Sequence, residues 1–211
     1  YSTSRRASGI YVPRFRNVNE KDERFLRGFG YQGAASRLSW KQGTATPGVG
    51  AEMKTALRRP GPWTLSLTGF GEMLPDTRNR VWLDEKRKDQ WGIPILQIDC
   101  QHRENELAML EAIEADAVEM MEAVGMTNIK SGFEAFAPGL GIHEMGTARM
   151  GRDPQSSVLN EHNQAHDVPN LFVTDGACMT SSACQNPSLT YMALTARAAA
   201  GAVEMLREGS I

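Results

Sequence analysis

The alternation of apolar and polar positions divides the chain into two regimes. Up to about residue 100, short stretches repeat with a period of two, the spacing of a half-buried strand. Trp63–Leu74 sets Trp63, Leu65 and Leu67 against Thr64, Ser66 and Thr68. Arg80–Asp84 and Ile93–Asp99 continue the theme across the charged link EKRKDQWG. Gly9–Arg16 is a further strand, confined to a sheet edge by Pro13, which cannot donate to a ladder. Strands joined by links this short pair antiparallel, because a parallel crossover needs about a dozen residues or more. Ala51–Leu57 adds a short helix before Pro60.

Beyond residue 100 the period shifts to that of a helix. Glu104–Val124 carries Leu107, Leu110, Ile113, Ala117, Met121 and Val124 at helical spacing, and Gly125 follows as its stop signal. Glu106, Glu111, Glu114 and Asp116 are expected on its solvated face, and Met120 and Met121 in the core. Residues 138–186 then show no period beyond one predicted strand, Asn170–Thr174. Irregular runs of that length inside a domain are usually functional. A last helix runs from Pro187 to about Arg207. Its stripe of Leu189, Met192, Ala193, Ala196, Ala200, Val203 and Leu206 is expected to lie bare unless another domain, a partner or a second copy covers it. The pattern as a whole predicts an α+β fold: an antiparallel sheet covered by helices, followed by a carboxyl-terminal strand and helix.

Composition narrows the class. With 41% hydrophobic residues among 211, the chain has enough apolar material for a core, and no apolar run approaches the ~20 residues of a membrane span. The first hundred residues carry 17 basic and 10 acidic side chains, the remainder 6 and 15. The cations are scattered among glycines rather than gathered on one face. Two halves attracting each other therefore explain the asymmetry better than nucleic-acid binding does. Cys100, Cys178 and Cys184 form no CxxC pair and read as free buried thiols, although Cys178 and Cys184 are near enough in sequence to bridge. The chain is expected to be soluble, with its compartment, cytoplasm or periplasm, left open.

Three motifs mislead. Gly28-Phe-Gly30-Tyr-Gln-Gly33 matches GxGxxG, but a dinucleotide site needs a buried strand before it and a helix opening after it. DERFLR and AASRLSW supply neither, so a glycine-rich strand or loop is expected. His143-Glu144 begins like HExxH, yet Thr147 stands where the second histidine belongs. His162 and His166 are four apart in a polar segment ending at Pro169, without a third ligand, and are expected to be solvated or to bond within loops. A metal hydrolase built on His143, His162 and His166 is disfavoured accordingly.

Two segments carry chemistry that folding alone does not require. One is GIHEMGTARMG, 141–151. The other is NLFVTDGACMTSSACQNPSLTYMALTARAAAGAV, 170–203. In the second, Asn186-Pro187 opens the last helix, with Asn near the cap and Pro at the first helical position. The N–H groups of Ser188, Leu189 and Thr190 then carry the positive end of the helix dipole, which favours anionic charge.

Together these segments resemble the carboxyl-terminal signature of the glucose–methanol–choline (GMC) family of flavin-dependent oxidoreductases. HxxGTxRMG comes first, then a strand ending in DG, then NPSLT opening a helix, in the family's order and spacing from His143 to about Leu206. Residues 1–142 are similar to the family's substrate domain, GEMLPDTRNRVWLD included. The wording looks closest to sugar and sugar-acid dehydrogenases, such as gluconate 2-dehydrogenase large subunits and glucoside 3-dehydrogenases. The resemblance implies FAD as cofactor and oxidation of a CH–OH group of a sugar, sugar acid or polyol by hydride transfer. It makes His143 the general base, since imidazole exchanges protons near neutral pH, and Asn186 the group that holds the substrate oxygen. Asp175, Gly176 and Ala177 match the segment passing the flavin, and Pro187, Ser188 and Leu189 the helix mouth that faces its reducible edge.

The family's amino-terminal GxGxxG strand is missing. Residues 1–142 are therefore expected to be the substrate domain, and 143–211 the active-site loop, strand and helix that return to an absent FAD domain. Alone, the chain is expected to hold FAD poorly, so that catalysis belongs to the parent protein. The implied partners are that FAD domain, the substrate and an electron-transfer subunit. The rival expectation is a non-catalytic module that binds carbohydrate or a partner. One conflict follows from the residues themselves: an Asn186 amide that caps its own helix cannot also reach substrate.

Overall fold

The computed structural model describes residues 9–37, 48–58, 61–132, 138–139 and 142–211; Pro60 and Gly141 lie outside them. The predicted α+β class is what is found. Strands β1 (Gly9–Val12), β2 (Phe29–Arg37) and β3 (Trp63–Gly71) form an antiparallel sheet in that order, so β1 sits at an edge as Pro13 requires. Strands β4 (Arg80–Lys88) and β5 (Pro94–Asp99) form a separate antiparallel hairpin. Helices α1 (Ala51–Leu57), α2 (Glu104–Ala123) and α3 (Ser188–Arg207) complete the regular elements, with a short 3-10 turn at Gly176–Cys178. The glycine-rich motif falls on β2 and the turn before it: Gly30 and Gly33 pair with Phe70 and Leu67 of β3.

One core lies between the sheet and α2. Phe29, Tyr31 and Phe25 meet Met109 and Ala112 there, and Phe29 and Tyr31 pack edge to face. The Tyr31 hydroxyl donates to the Ile113 carbonyl at 2.7 Å, so the buried phenol is satisfied. The helix can lie this close because β3 ends in glycines. A Cβ on Gly71 would stand 2.7 Å from Met109 Cε, and one on Gly69 would run into Ile113.

The face of α2 differs from expectation. Its buried positions are Glu106, Met109, Ala112 and Asp116, while Leu107 is exposed. The two buried acids overturn the solvated-face reading because each is fully engaged. Glu106 accepts from the backbone N–H groups of Arg103 and Leu74 and from the Asn105 amide. Asp116 receives a fork from Arg16, Nε at 2.7 Å and Nη2 beside it. That pair also joins the basic half of the sequence to the acidic half.

The second core is smaller and lies beneath irregular chain. Leu159, Ala165 and Cys178 are buried, with Met150, Val173 and Leu194 packed against them. The predicted strand Asn170–Thr174 is not one: a single bridge, Phe172 to Gln164, is all the pairing it makes among the described residues. A strand exists only through its ladder, and this segment has no adjacent strand to complete one. Cys100, Cys178 and Cys184 are all unbridged.

Candidate active site

Helix α3 begins one residue later than the sequence suggests. Pro187 occupies the N-cap (φ −92°, ψ 0°), Ser188 is the first helical residue, and no side chain caps the end. The first helical N–H with an internal partner is that of Tyr191, bonded to the Pro187 carbonyl at 3.0 Å. The N–H groups of Ser188, Leu189 and Thr190 thus sit at an uncapped, exposed mouth, and Leu189 keeps 78% of its surface. Because Pro187 takes the cap position, the Asn186 amide is not consumed there. Asn186 is exposed and Pro187 buried.

The predicted stripe of α3 does lie bare. Met192, Val203 and Leu206 are exposed along with Leu189, while Leu194 and Ala198, on the opposite side, pack inward. The helix is anchored by Arg197, whose Nη2 donates to the Glu161 carbonyl at 2.7 Å and to Asn163 Oδ1 at 2.9 Å.

Against this helix the two signature segments run side by side. The N–H groups of Gly146, Ala148 and Met150 bond the carbonyls of Gly176, Ala177 and Cys178 at 3.3, 2.9 and 2.9 Å. Asp175 turns its carboxylate onto the Ala177 N–H at 2.9 Å, starting the 3-10 turn. The Tyr191 hydroxyl donates to Met145 Sδ at 3.5 Å, so the first turn of α3 touches the residue two beyond His143. Burial, and the nearby charge of Asp175, push the Tyr191 phenol up and keep it a donor. His143 is half-buried in the same loop. The histidine loop, the Asp175–Ala177 segment and the helix mouth therefore share one neighbourhood. Among the described residues no hydrogen bond joins His143 to Asn186.

The site is tied to the sheet by residues outside the recognised signature. Glu72, buried at the end of β3, accepts from Ser181 Oγ at 2.6 Å and lies 3.4 Å from Arg27 Nε. Asn163, fully buried with φ 65°, bonds the Val173 carbonyl through Nδ2 at 3.0 Å and takes the Arg197 contact. A short polar residue that tolerates left-handed backbone was the only signal available for it. His166 shares a bond with Ser157 Oγ at 3.0 Å, the loop role expected of it, and His162 stands in solvent beside Glu161. Among the described residues no cluster of His, Cys, Asp and Glu is disposed to hold a metal, and no helix is long and apolar enough to cross a membrane.

Comparison with known proteins agrees with these features. The chain is 39% identical to 2-methyl-1,2-propanediol dehydrogenase of Mycolicibacterium austroafricanum, over 61% of this chain and 23% of that one. It is 29% identical to the fructose dehydrogenase large subunit of Gluconobacter japonicus, over 94% and 36%. It is 28% identical to the gluconate 2-dehydrogenase flavoprotein of Pantoea cypripedii, over 71% and 25%. The chain thus spans roughly a quarter to a third of the length of these relatives. Residues 75–195 match the family model described as GMC oxidoreductase, which takes in most of the signature, the α3 mouth included, and the chain belongs to the GMC oxidoreductase family.

Proposed function

We propose that this chain is the substrate-side portion of an FAD-dependent oxidoreductase that oxidises a CH–OH group of a sugar, sugar acid or polyol. The observation that carries the reading is the pairing of 146–150 with 176–178 beside the uncapped mouth of α3. It supports the reading by setting the loop that follows His143 beside the helix that follows Asn186. The relatives named for 2-methyl-1,2-propanediol, fructose and gluconate point to a substrate bearing more than one hydroxyl.

The donors present suit a flavin. The three helical N–H groups of Ser188, Leu189 and Thr190, without a capping side chain, would favour the negative charge that a flavin takes up on accepting hydride. Bound FAD supplies the hydride acceptor. The chain's own residues do the rest. An unprotonated His143 ring nitrogen accepts the hydroxyl proton as the C–H bond breaks. The Asn186 amide N–H donates to the substrate oxygen and stabilises the charge that develops on it. Gly176 and Ala177 direct their carbonyls to the histidine loop, so their part is to hold that loop against the helix. An amino-terminal FAD domain and an electron-accepting partner belong to this reading.

The test uses the full-length, flavin-loaded protein. Wild type bleaches its flavin absorbance on mixing with a polyhydroxylated substrate. His143→Ala slows that reduction by about 10²–10⁴-fold while the flavin stays bound. An unchanged rate removes His143 from the chemistry.

A further inference from the structure

In the first turn of α3, Ser188, Leu189 and Thr190 are exposed, and Tyr191 is the first side chain to turn inward. Its hydroxyl donates to Met145 Sδ at 3.5 Å. The same hydroxyl closes over Gly176, where a Cβ would stand 3.0 Å from it, 3.2 Å from Met145 Sδ and 2.6 Å from the Glu144 carbonyl oxygen. One phenol therefore lies at the junction of the helix mouth, the histidine loop and the Asp175–Ala177 segment.

The two sides of that junction are held differently. From Gly146 onward the loop is bonded through its backbone to 176–178. Before Gly146 that support stops. Among the described residues, the bond from Tyr191 to Met145 is the only hydrogen bond made by residues 142–145, His143 included. Ile142, on the far side of His143, is exposed. Helix α3, in contrast, does not depend on the bond. Leu194 and Ala198 pack inward and Arg197 bonds Glu161 and Asn163, so the helix is fixed from its middle. A thioether is a weak acceptor, and phenylalanine would serve the packing of α3 as well as tyrosine does. The effect of the hydroxyl falls on the loop.

We propose that Tyr191 is a positioning residue for the proton transfer: through Met145 it holds the residues that carry His143 against the mouth of α3. This role rests on the function proposed above and adds to it the contact that sets the base. Without the bond the loop spends less time with the base in place, while the contacts of the substrate are untouched. The limiting rate of flavin reduction then falls and half-saturation stays where it was.

The experiment follows flavin reduction by stopped flow in the full-length, flavin-loaded protein, with D-gluconate and D-fructose as probes. Tyr191→Phe keeps the ring and removes the donor. Met145→Leu keeps the volume and removes the acceptor, and Met145→Gln offers an amide oxygen of similar reach. Expected for Tyr191→Phe and for Met145→Leu is a limiting reduction rate about three- to tenfold below wild type, with half-saturation within about twofold. The two together lose no more than either alone, because they remove one bond. Met145→Gln keeps most of the rate, and in a His143→Ala protein Tyr191→Phe causes no further loss. A wild-type rate in Tyr191→Phe, additive losses in the double variant, or a further loss on top of His143→Ala overturns the assignment. So does a raised half-saturation at an unchanged rate, or a Met145→Gln protein as slow as Met145→Leu. Failure of Tyr191→Phe to fold with flavin bound makes Tyr191 a packing residue and overturns it too. A wild type that neither probe reduces, or whose reduction survives His143→Ala, overturns the parent reading. Reduction that is lost in His143→Ala and unaltered in Tyr191→Phe overturns the role of Tyr191 alone.

Discussion

Gly176→Ala tests whether the histidine loop owes its position to its close approach to the Asp175–Ala177 segment. A Cβ at 176 would lie 2.6 Å from the Glu144 carbonyl oxygen, 3.0 Å from the Tyr191 hydroxyl and 3.2 Å from Met145 Sδ. The nearest of these is backbone and cannot rotate away. Gly176 is not among the glycines with positive φ, so alanine meets a steric obstacle rather than a conformational one. Forcing one methyl into such a site costs about 1–3 kcal/mol. If the strain is relieved by displacing residues 143–146, the competent fraction falls by about 5- to 150-fold. Stopped-flow reduction of the flavin in the full-length protein reads that loss directly. A thermal melt shows the strain that is retained instead, at about 2–4 °C per kcal/mol. The control is Gly201→Ala on α3, where a Cβ would meet nothing within 4 Å and helix propensity favours alanine by about 1 kcal/mol. A Gly176→Ala protein with wild-type rate and melting temperature, or a Gly201→Ala protein equally impaired, refutes the reasoning.

Further predictions concern the scaffold. Arg16→Ala leaves the Asp116 carboxylate, 8% exposed, without its partner and should cost about 3–5 kcal/mol in urea unfolding. Asp116→Asn leaves an arginine that is 41% exposed and can hydrate, so it should cost only about 1–3 kcal/mol; the reverse order contradicts the account. Burial pushes all three thiols up, but Cys178 and Cys184 are buried whereas Cys100 is only partly so; native chain should therefore react with a thiol reagent at Cys100 alone, and at all three cysteines once unfolded. Hydrogen bonds from Arg24, side chain first and backbone second, pull Asp22 down from 3.8 to about 2. A depressed folded-state value stabilises above the unfolded pKa. The stability advantage of wild type over Arg24→Gln should therefore persist at neutral pH and close as the pH falls from about 4 toward 2, which an acid titration of unfolding measures.

How legible the protein was depends on what each element is made of. β3 alternates Trp63, Leu65 and Leu67 with threonine and serine and was readable within a few residues. β2 was harder, because Gly30, Gly33 and Ala34 carry no period, and only its neighbours make it the central strand. On α2 the apolar residues wrap nearly all round, so periodicity established the helix but not its phase. The packed face was decided by Glu106 and Asp116, whose partners Leu74 and Arg16 are distant in sequence. Asn170–Thr174 has the composition of a strand without a ladder to join. At the site, the residue types and their order were legible from the signature itself. The Pro187 cap that leaves Asn186 unspent, and the Glu72–Ser181 tie to the sheet, were not, since both arise from contacts no spacing encodes.

The irregular chain from 142 to 187 raises the question of how a loop could hold the proposed proton acceptor, His143, in a fixed position. Its buried N–H and C=O groups still need partners, and without a sheet the partners must be local. Short polar side chains provide them. Asp153 accepts from Gln155 N, Asn160 from His162 N and Gln164 N, and Asp175 from Ala177 N, at 2.9 to 3.2 Å. Asn163, buried and left-handed, bonds Val173 and receives Arg197, fastening the segment to α3. Cys178, Leu159 and Ala165 then close an apolar core beneath it. Residues that hydropathy scores as solvent-loving thus act as the ladder, which is why the segment shows no period yet has a definite shape. The histidine loop is bonded to 176–178, those residues to Asp175, and the whole to the buried face of α3. The proposed base, His143, stands three residues before the first of these bonds, at Gly146, and in the proposed reaction this bonded run is what would hold its loop for proton transfer from a bound hydroxyl.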